Sequence, residues 1–505
     1  MAGKNIRHTC DILIAGSGFA GSLTALLLSR IGYKVCLVEK KSHPRFAIGE
    51  SSTPIADMIL RHLAETYDLP WLHEFSRYGS WQQHYPEVGC GLKRGFSYFF
   101  HRPGEPFRTD GDHRNELLVA ASVNDLQSDT NWYRSDLDAF LVEKVKTYGI
   151  RYLDQTNLLS VQKNTHWQFH AMHQGEKLVL EASFFIDATG TPDLLQTLWN
   201  VSSDTGGFRT NTHAIYSHFD GVTRWTDFLQ GQGIPTGDYP YDPDHSALHH
   251  LLEEGWLWML RFNNGRLSMG LVMEEGRQPL TDEDSEVIWK RVFSRYPSLN
   301  ALMAKATPSP QPGRLLKSQR LQRIAAKGYG EGWVALPHTI GFVDPLHSTG
   351  IAHTLCGVEK IAGILSDSRA EPQLLSDRFQ AYEKSVMAEI RFSDMLVSGS
   401  YKALREFGLF HAWTMLYFTA AIAYEQKRLA GTIPACFLEA DNKALREIVE
   451  TSYSDLEQVL AGGVPPGAAV KGFVNLVRDR IAPYNIAGLL DPTARNMYRH
   501  TAAKF

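Results

Sequence analysis

The sequence predicts an α/β protein: a Rossmann-like, parallel-stranded nucleotide domain with an inserted antiparallel β-sheet region and a helical C-terminal part. Three observations predict it. First, DILIA (11–15), a helical stretch over 19–31 rich in small and apolar residues, and YKVCLVEK (33–40) form a strand–turn–helix–strand opening. Two later segments, ASFFIDATG (182–190) and GWVALPHTIGFVDP (332–345) running into a helix over 350–366, read as further strands of that sheet. Second, residues 80–110 and 205–275 are rich in aromatics and alternate apolar with polar, as in LRFNNGRLSMGLVME, which is the period of a sheet. Third, helical periodicity dominates from about 370 onward. The expected organisation is a discontinuous nucleotide domain (1–80, 115–200 and 315–370), a substrate-binding β-sheet region (81–114 and 201–314) and a helical region (371–505). The loop-like segment 229–244, with its Gly, Pro and Tyr residues, is expected as a lid.

Composition narrows the function. The 505 residues are 43% hydrophobic and 21% charged, with 51 basic and 55 acidic residues and a net charge of -4, which excludes a disordered chain and disfavours a phosphate-binding surface. No nucleic acid partner is expected, and a small molecule is. The five cysteines (Cys10, Cys36, Cys90, Cys356, Cys436) are scattered without C-x-x-C spacing, as in a reduced, cytoplasmic protein. The apolar patch from Trp413 to Ala423 is about half a membrane span, and no membrane contact is expected.

The opening strand and helix flank Gly16-Ser17-Gly18-Phe19-Ala20-Gly21, a G-x-G-x-x-G in the context that gives this pattern meaning. Gly16 suits the tight turn, Gly18 lets the backbone approach a pyrophosphate, and Gly21 allows close helix–strand packing. The helix N-terminus at Ala20 faces the phosphates. Glu39, closing the second strand, suits an unphosphorylated adenosine ribose, hence FAD or NAD. Ile186-Asp187-Ala188-Thr189-Gly190 resembles the second nucleotide motif of glutathione-reductase-type flavoproteins. Arg134 and Asp138 in WYRSDLDAFL resemble the R-x-x-L/F-D signature of flavin monooxygenases of the p-hydroxybenzoate-hydroxylase type. These favour FAD, and with one fingerprint only, reduced flavin has to come from elsewhere.

Four further segments resemble the flavin-dependent halogenases. They are Pro44-Arg45-Phe46-Ala47-Ile48-Gly49-Glu50-Ser51-Ser52-Thr53-Pro54, similar to the flavin strap; Cys90-Gly91-Leu92-Lys93-Arg94-Gly95-Phe96, similar to the segment carrying an essential lysine; Glu254-Gly255-Trp256-Leu257-Trp258-Met259-Leu260, similar to W-x-W-x-I-P; and Gly341-Phe342-Val343-Asp344-Pro345-Leu346-His347-Ser348-Thr349-Gly350, similar to the flavin and halide loop. Detail around EEGWLW and FNN resembles the phenol and phloroglucinol branch. The resemblance implies a two-component enzyme. Reduced FAD (FADH2) from a separate flavin reductase reacts with oxygen to a flavin hydroperoxide, chloride or bromide becomes hypohalous acid, and Lys93 relays it to an electron-rich, phenolic, small aromatic substrate, free or held on a carrier protein. It further implies that Gly16, Gly18, Ala20, Gly21, Glu39, Ile48, Gly49, Arg134, Asp187, Gly190 and Asp344 hold FAD. Thr349 and Gly350 then bind halide, and Trp256 and Trp258 shield the flavin or wall the substrate.

Departures from the pattern carry their own expectations. Leu260-Arg261 replaces Ile-Pro, which restores a backbone donor and adds a charge near the shield. That favours the alternative reading, an FAD-dependent aromatic monooxygenase that hydroxylates. Pro337-His338 replaces the family's Gly-Asp. His347 stands where tryptophan-specific members carry glutamate, and an imidazole there can accept a phenol proton near neutral pH. His245, His249 and Glu253, at i, i+4 and i+8 in a segment read as helical, would share one face as metal ligands. No other ligand cluster supports a metal, so none is expected.

Overall fold

The computed structural model describes residues 6–368 and 371–501; residues 1–5, at the start of the first expected nucleotide segment, 369–370, and 502–505, at the end of the expected helical region, lie outside the described residues. An eight-stranded sheet forms the nucleotide domain, with Tyr329–Gly330, Trp333–Ala335, Glu176–Asp187, Ile6–Ala15, Val35–Val38 and Arg151–Leu153 side by side. Its central pairings are parallel, Ile14 lying beside both Ile186 and Leu37. A parallel strand buried on both faces reads as continuous apolar sequence, and Ile12, Leu13, Ile14 and Cys36 to Val38 are accordingly buried. The helix Phe19–Ile31 starts directly after Gly18. Gly16 adopts φ +96, and a Cβ there would sit 2.6 Å from the Ala188 carbonyl oxygen, so only glycine closes this turn.

A second, nine-stranded sheet carries the inserted material, in the order Thr307–Pro308, Thr212–Asp220, Leu267–Glu274, Gly255–Arg261, Ala247–Leu251, Gly95–Phe100, Glu116–Ala120 and Met497–Tyr498, with Leu316–Lys317 also on the Thr212–Asp220 strand. Most pairings are antiparallel, but Ala247–Leu251 runs parallel to Gly95–Phe100 and Met497–Tyr498 parallel to Glu116–Ala120. Three pieces therefore fall outside the expected boundaries. The strands Glu116–Ala120 and Leu316–Lys317 join this sheet instead of the nucleotide sheet, and the helical C-terminal region sends Met497–Tyr498 back to its edge.

Period-two alternation divides the sheet cleanly. Phe99, Leu118, Leu248, Leu257, Met259 and Leu271 point outward, under a cover that includes Trp225, Trp289 and Tyr241. Phe96, Tyr98, Ala247, Trp256 and Trp258 point inward, into the core shared with the nucleotide domain and the helices Thr349–Ser368, Leu375–Ala403 and Phe407–Leu429. The expected lid at 229–244 belongs to the outer cover: Tyr241 donates to the Phe96 carbonyl (2.6 Å) and Tyr239 to Glu116 (2.6 Å), which pins it to the sheet.

The segment 245–253 is not a helix. It forms a short 3-10 turn, Pro243–His245, and the strand Ala247–Leu251. Its L-H-H-L core satisfies either period, and pairing with strands on both sides decides for the sheet. His245, His249 and Glu253 therefore share no helical face. His249 enters the inner face, stacked on Tyr98, and among the described residues no group of three or more metal-ligating side chains converges.

Candidate active site

A cleft of about 630 Å³ runs along the carboxyl end of the nucleotide sheet, lined by Gly16, Gly18, Ala20, Glu39, Ile48, Arg134 and Gly190, and also by Lys40, Lys41, Arg45 and His338. Ligands of open α/β sheets bind at this place. The residues fit a dinucleotide. The glycine turn presents bare backbone to the cleft, a Cβ on Gly18 lying only 3.3 Å from Arg134 Nη2, and four cationic side chains line the walls for two phosphates. Glu39 accepts from Ser17 N (3.0 Å) and Lys41 N (3.0 Å), with Arg45 at 3.4 Å. Burial works against its ionisation, but Arg45 and those backbone donors outweigh it and hold the carboxyl below its ordinary range.

Arg134, in the first turn of Arg134–Thr147, is clamped by Asp138 (2.8 and 2.9 Å) and donates to the carbonyls of Ile48 (3.2 Å) and Gly49 (3.0 Å). It thereby ties the strap to the helix wall of the cleft. Asp187 and Gly21, two expected cofactor residues, stand behind the wall instead of on it. Asp187 is fully buried and takes Thr189 N (2.9 Å) and Oγ1 (2.6 Å), shaping the loop that presents Gly190. A Cβ on Gly21 would fall 1.8 Å from the Gly16 carbonyl oxygen.

Thr349 and Gly350 open the helix Thr349–Ser368. Together with Asp344, His338 and Thr354 they line a small cavity that shares its His338 and Thr354 walls with the main cleft. The first N–H groups of a helix lack intrahelical partners, so this turn can receive an anion. Asp344 sits on the loop before it, accepting from Thr212 (2.8 Å), Leu346 N (3.1 Å) and Tyr401 (3.0 Å), while burial raises its carboxyl to about 7.

Lys93 ends the strand Cys90–Lys93, which pairs with Asp129–Trp132. Its side chain is fully buried; Nζ donates to the Ser52 carbonyl and lies 4.1 Å from the centre of the Phe96 ring. Burial lowers its ammonium to about 8, against the pull of Asp129 and Asp57. The neighbouring strap residue, Ser51, meets Ser348 Oγ to Oγ at 3.1 Å. Strap, lysine and the 344–350 loop are thus one connected unit.

Aromatic rings close the rest. His347 stacks on Tyr417 (4.5 Å), its Nε2 is 3.3 Å from Ser400 Oγ, and its buried Nδ1 has no hydrogen-bond partner. Burial drives its pKa to about 3, so the imidazole is neutral in the protein; the sequence expectation of a base titrating near neutral pH is corrected to that of a neutral hydrogen-bonding group. Trp256 and Trp258 lie 6.0 Å apart on the same face, and Trp256 donates to Tyr401 (2.8 Å). Two small cavities flank Tyr417, one shared with Thr53 and Phe96, the other with His347, Asp344 and Thr349.

Arg261 does not enter this space. It is bound to Asp244 (2.5 Å) and to the carbonyls of Thr223 (2.8 Å) and Val222 (3.3 Å), within the inserted region. Sequence reasoning missed Asp57, Asp129, Ser400 and Tyr401, none of which sits in a recognisable motif.

A nucleotide cleft on a Rossmann-like sheet, an anion-ready helix start and a buried lysine tied to both define a cofactor-dependent enzyme. The tryptophan halogenase family profile matches residues 11–74 and 129–406. Monodechloroaminopyrrolnitrin halogenase PrnC of Pseudomonas fluorescens is 26% identical over 497 residues, 93% of this chain and 85% of that protein. Tetracycline 7-halogenase of Kitasatospora aureofaciens is 24% identical over 458 residues, 88% of this chain and 79% of that protein. The crystal structure of halogenase PltM superposes with a TM-score of 0.86 at 24% identity, covering 97% of this chain and 99% of that one. The chain belongs to the tryptophan halogenase family. It is a flavin-dependent halogenase, its cofactor is FAD, and the hydroxylase reading is not favoured. No helix among the described residues is long and apolar enough to cross a membrane.

Proposed function

We propose that this enzyme installs chloride or bromide on an electron-rich, phenolic ring, with Lys93 delivering the oxidised halogen. The observation that carries the reading is Lys93 itself: a fully buried lysine tied through Ser52 and Ser51 to the loop that opens at Thr349 and Gly350. Reduced FAD, supplied by a separate flavin reductase, provides with oxygen the two-electron oxidation of the halide.

The chain's residues do the rest. Arg134 and the Gly16–Gly21 turn would hold the dinucleotide, and the first turn at Thr349 and Gly350 would hold the halide. Lys93 meets the oxidised halogen as a hydrogen-bonding ammonium or as an amine, and its lowered pKa keeps both forms accessible. His347 Nδ1 accepts a hydrogen bond from the phenol hydroxyl and keeps the ring electron-rich, while Trp256, Tyr417 and Phe96 exclude water. The phenolic class is supported by PltM, which was solved in complex with phloroglucinol and FAD.

The test is mass spectrometry of products from purified protein given FAD, a flavin reductase, oxygen and bromide or chloride. Phenols, resorcinols, pyrroles and indoles are offered, free and carrier-bound. A halogen isotope pattern on phenols is expected, falling by at least about 100-fold in Lys93→Ala with FAD still bound. Halogenation retained in Lys93→Ala overturns the lysine assignment, and a halide-independent gain of one oxygen overturns the reaction.

A further inference from the structure

Glu50 and His218 have no role in the reading above. Glu50 is where the strap leaves the rim of the cleft: Ile48 and Gly49 before it are exposed, whereas Glu50 is 3% exposed. Its Oε1 accepts from His218 Nε2 at 2.7 Å. His218 lies on the strand Thr212–Asp220 of the inserted sheet, opposite Ser268, and is likewise 3% exposed. The rings of Phe46 (4.8 Å), Tyr133 (5.7 Å) and Phe262 (5.7 Å) surround the imidazole. Among the described residues His218 is the one side-chain partner of Glu50. A carboxyl group buried in such a box is costly unless it is paired.

We propose that His218 is the positioning residue of the strap: by holding Glu50 it fixes both the cofactor-facing stretch before that residue and the lysine-facing stretch after it. Its meaning for the reaction rests on the delivery role of Lys93. On one side of Glu50, Ala47 and Ile48 line the cleft, and the carbonyls of Ile48 and Gly49 accept from Arg134. On the other side Ser51 meets Ser348, and the Ser52 carbonyl accepts from Lys93. Gly49 is one residue from Glu50 and Ser52 is two, and two residues of chain span at most roughly 7 Å. Residue 50 therefore cannot shift without carrying both stretches with it.

The donor stands on a rigid base. The strand that carries His218 is paired residue by residue with Leu267–Glu274, and the His218 carbonyl accepts from Ser309 N (2.9 Å). Tyr216 and His218 point to the same face of this strand. Phe46, itself a strap residue, stacks on Tyr216 (6.4 Å) and packs edge-on against His218. The strap thus grips the strand at Phe46 and again at Glu50, and the residues between these grips are the ones that face the cofactor cleft. The bond to Glu50 is the one hydrogen bond of this imidazole among the described residues, its Nδ1 being buried without a partner. Without that bond the strap is seated for a smaller fraction of the time, and apparent cofactor affinity falls by that fraction.

Two substitutions of equal polarity and different reach test this. In His218→Gln the amide nitrogen falls where Nε2 stands, within reach of Glu50; in His218→Asn it ends at the level of Nδ1, short of it. Neither readout needs turnover. One is the FAD dissociation constant, from flavin fluorescence. The other is the rate at which trinitrobenzenesulfonate labels Lys93 in the full chain before FAD is added, followed by peptide mass spectrometry. In His218→Asn both should rise by about tenfold or more, because one partner of a buried bond is left unpaired. In His218→Gln both should stay within about threefold of the unsubstituted protein. Equal behaviour of the two variants overturns the proposal, as does a shift of one readout without the other. Where His218→Asn does not fold, Glu50→Ala removes the bond from the strap side and is expected to give the same two shifts; unmoved readouts there overturn the proposal. Halogenation retained by Lys93→Ala overturns the delivery role and leaves the seating of the strap standing on its own two readouts.

Discussion

Arg261 shows how far one residue's meaning depends on where its side chain goes. In sequence it replaces a motif proline three positions after Trp258, and reads as a charge beside the cofactor shield. In the fold it leaves that face and closes an ion pair with Asp244, a carboxylate that is fully buried. Removing one partner of a buried pair strands the other charge, so Arg261→Met is expected to cost roughly 3 kcal/mol, measured by urea unfolding. Its products should remain halogenated; a switch to hydroxylated product would place Arg261 in the shield after all. Lys93 was legible because its segment, G-L-K-R-G-F, is local. Asp129, the residue opposite it in the ribbon, was not, because only the pairing of two strands distant in sequence places it across from Lys93.

The same contrast holds for elements. The glycine turn and the helix after it were readable because their chemistry is contained in a few consecutive residues. The strand Ala247–Leu251 was not, since its L-H-H-L pattern suits both periods and only its neighbours choose. The Glu176–Asp187 strand was readable in its apolar end, but the burial of Asp187 was not. That burial sets a pH dependence. Its carboxyl is raised to about 7, with Oδ2 unpartnered, against roughly 4 in an unfolded chain. Between those values the folded state keeps a proton that the unfolded state has lost. Stability therefore falls as pH rises through this window and levels off above it. Asp187→Asn keeps an acceptor for Thr189 and loses the proton, so the decline in melting temperature from about pH 5 to about pH 8 should shrink. An unchanged decline would assign the effect to other groups, such as Asp344.

Across the whole molecule, both sheets are assembled from distant stretches. The nucleotide sheet joins residues 6–15, 176–187 and 333–335, and the inserted sheet recruits Met497–Tyr498. Such non-local pairing makes the fold slow to form. Tyr498 is the anchor of that returning segment: it is 4% exposed, accepts from Leu490 N (3.0 Å) and lies 3.1 Å from His411 Nε2 on the helix Phe407–Leu429. Tyr498→Ala is expected to cost about 3–5 kcal/mol, read from the shift of the urea midpoint. A shift below about 1 kcal/mol would show the returning strand to be decoration on the sheet edge.

The attachment of Lys93 separates two kinds of change. Apart from its rest on the Phe96 ring, the lysine is held from the strap and the ribbon: its Nζ donates to the Ser52 carbonyl, and its strand pairs with Asp129–Trp132. The rings beyond Phe96, namely Tyr98, His249, Trp256, His347 and Tyr417, make no hydrogen bond to it. A lineage can therefore resize or repolarise that far wall, and so adopt a different ring to halogenate, without retuning the end of the site that handles the oxidant. Diversification of this enzyme is cheap on one side of Phe96 and costly on the other.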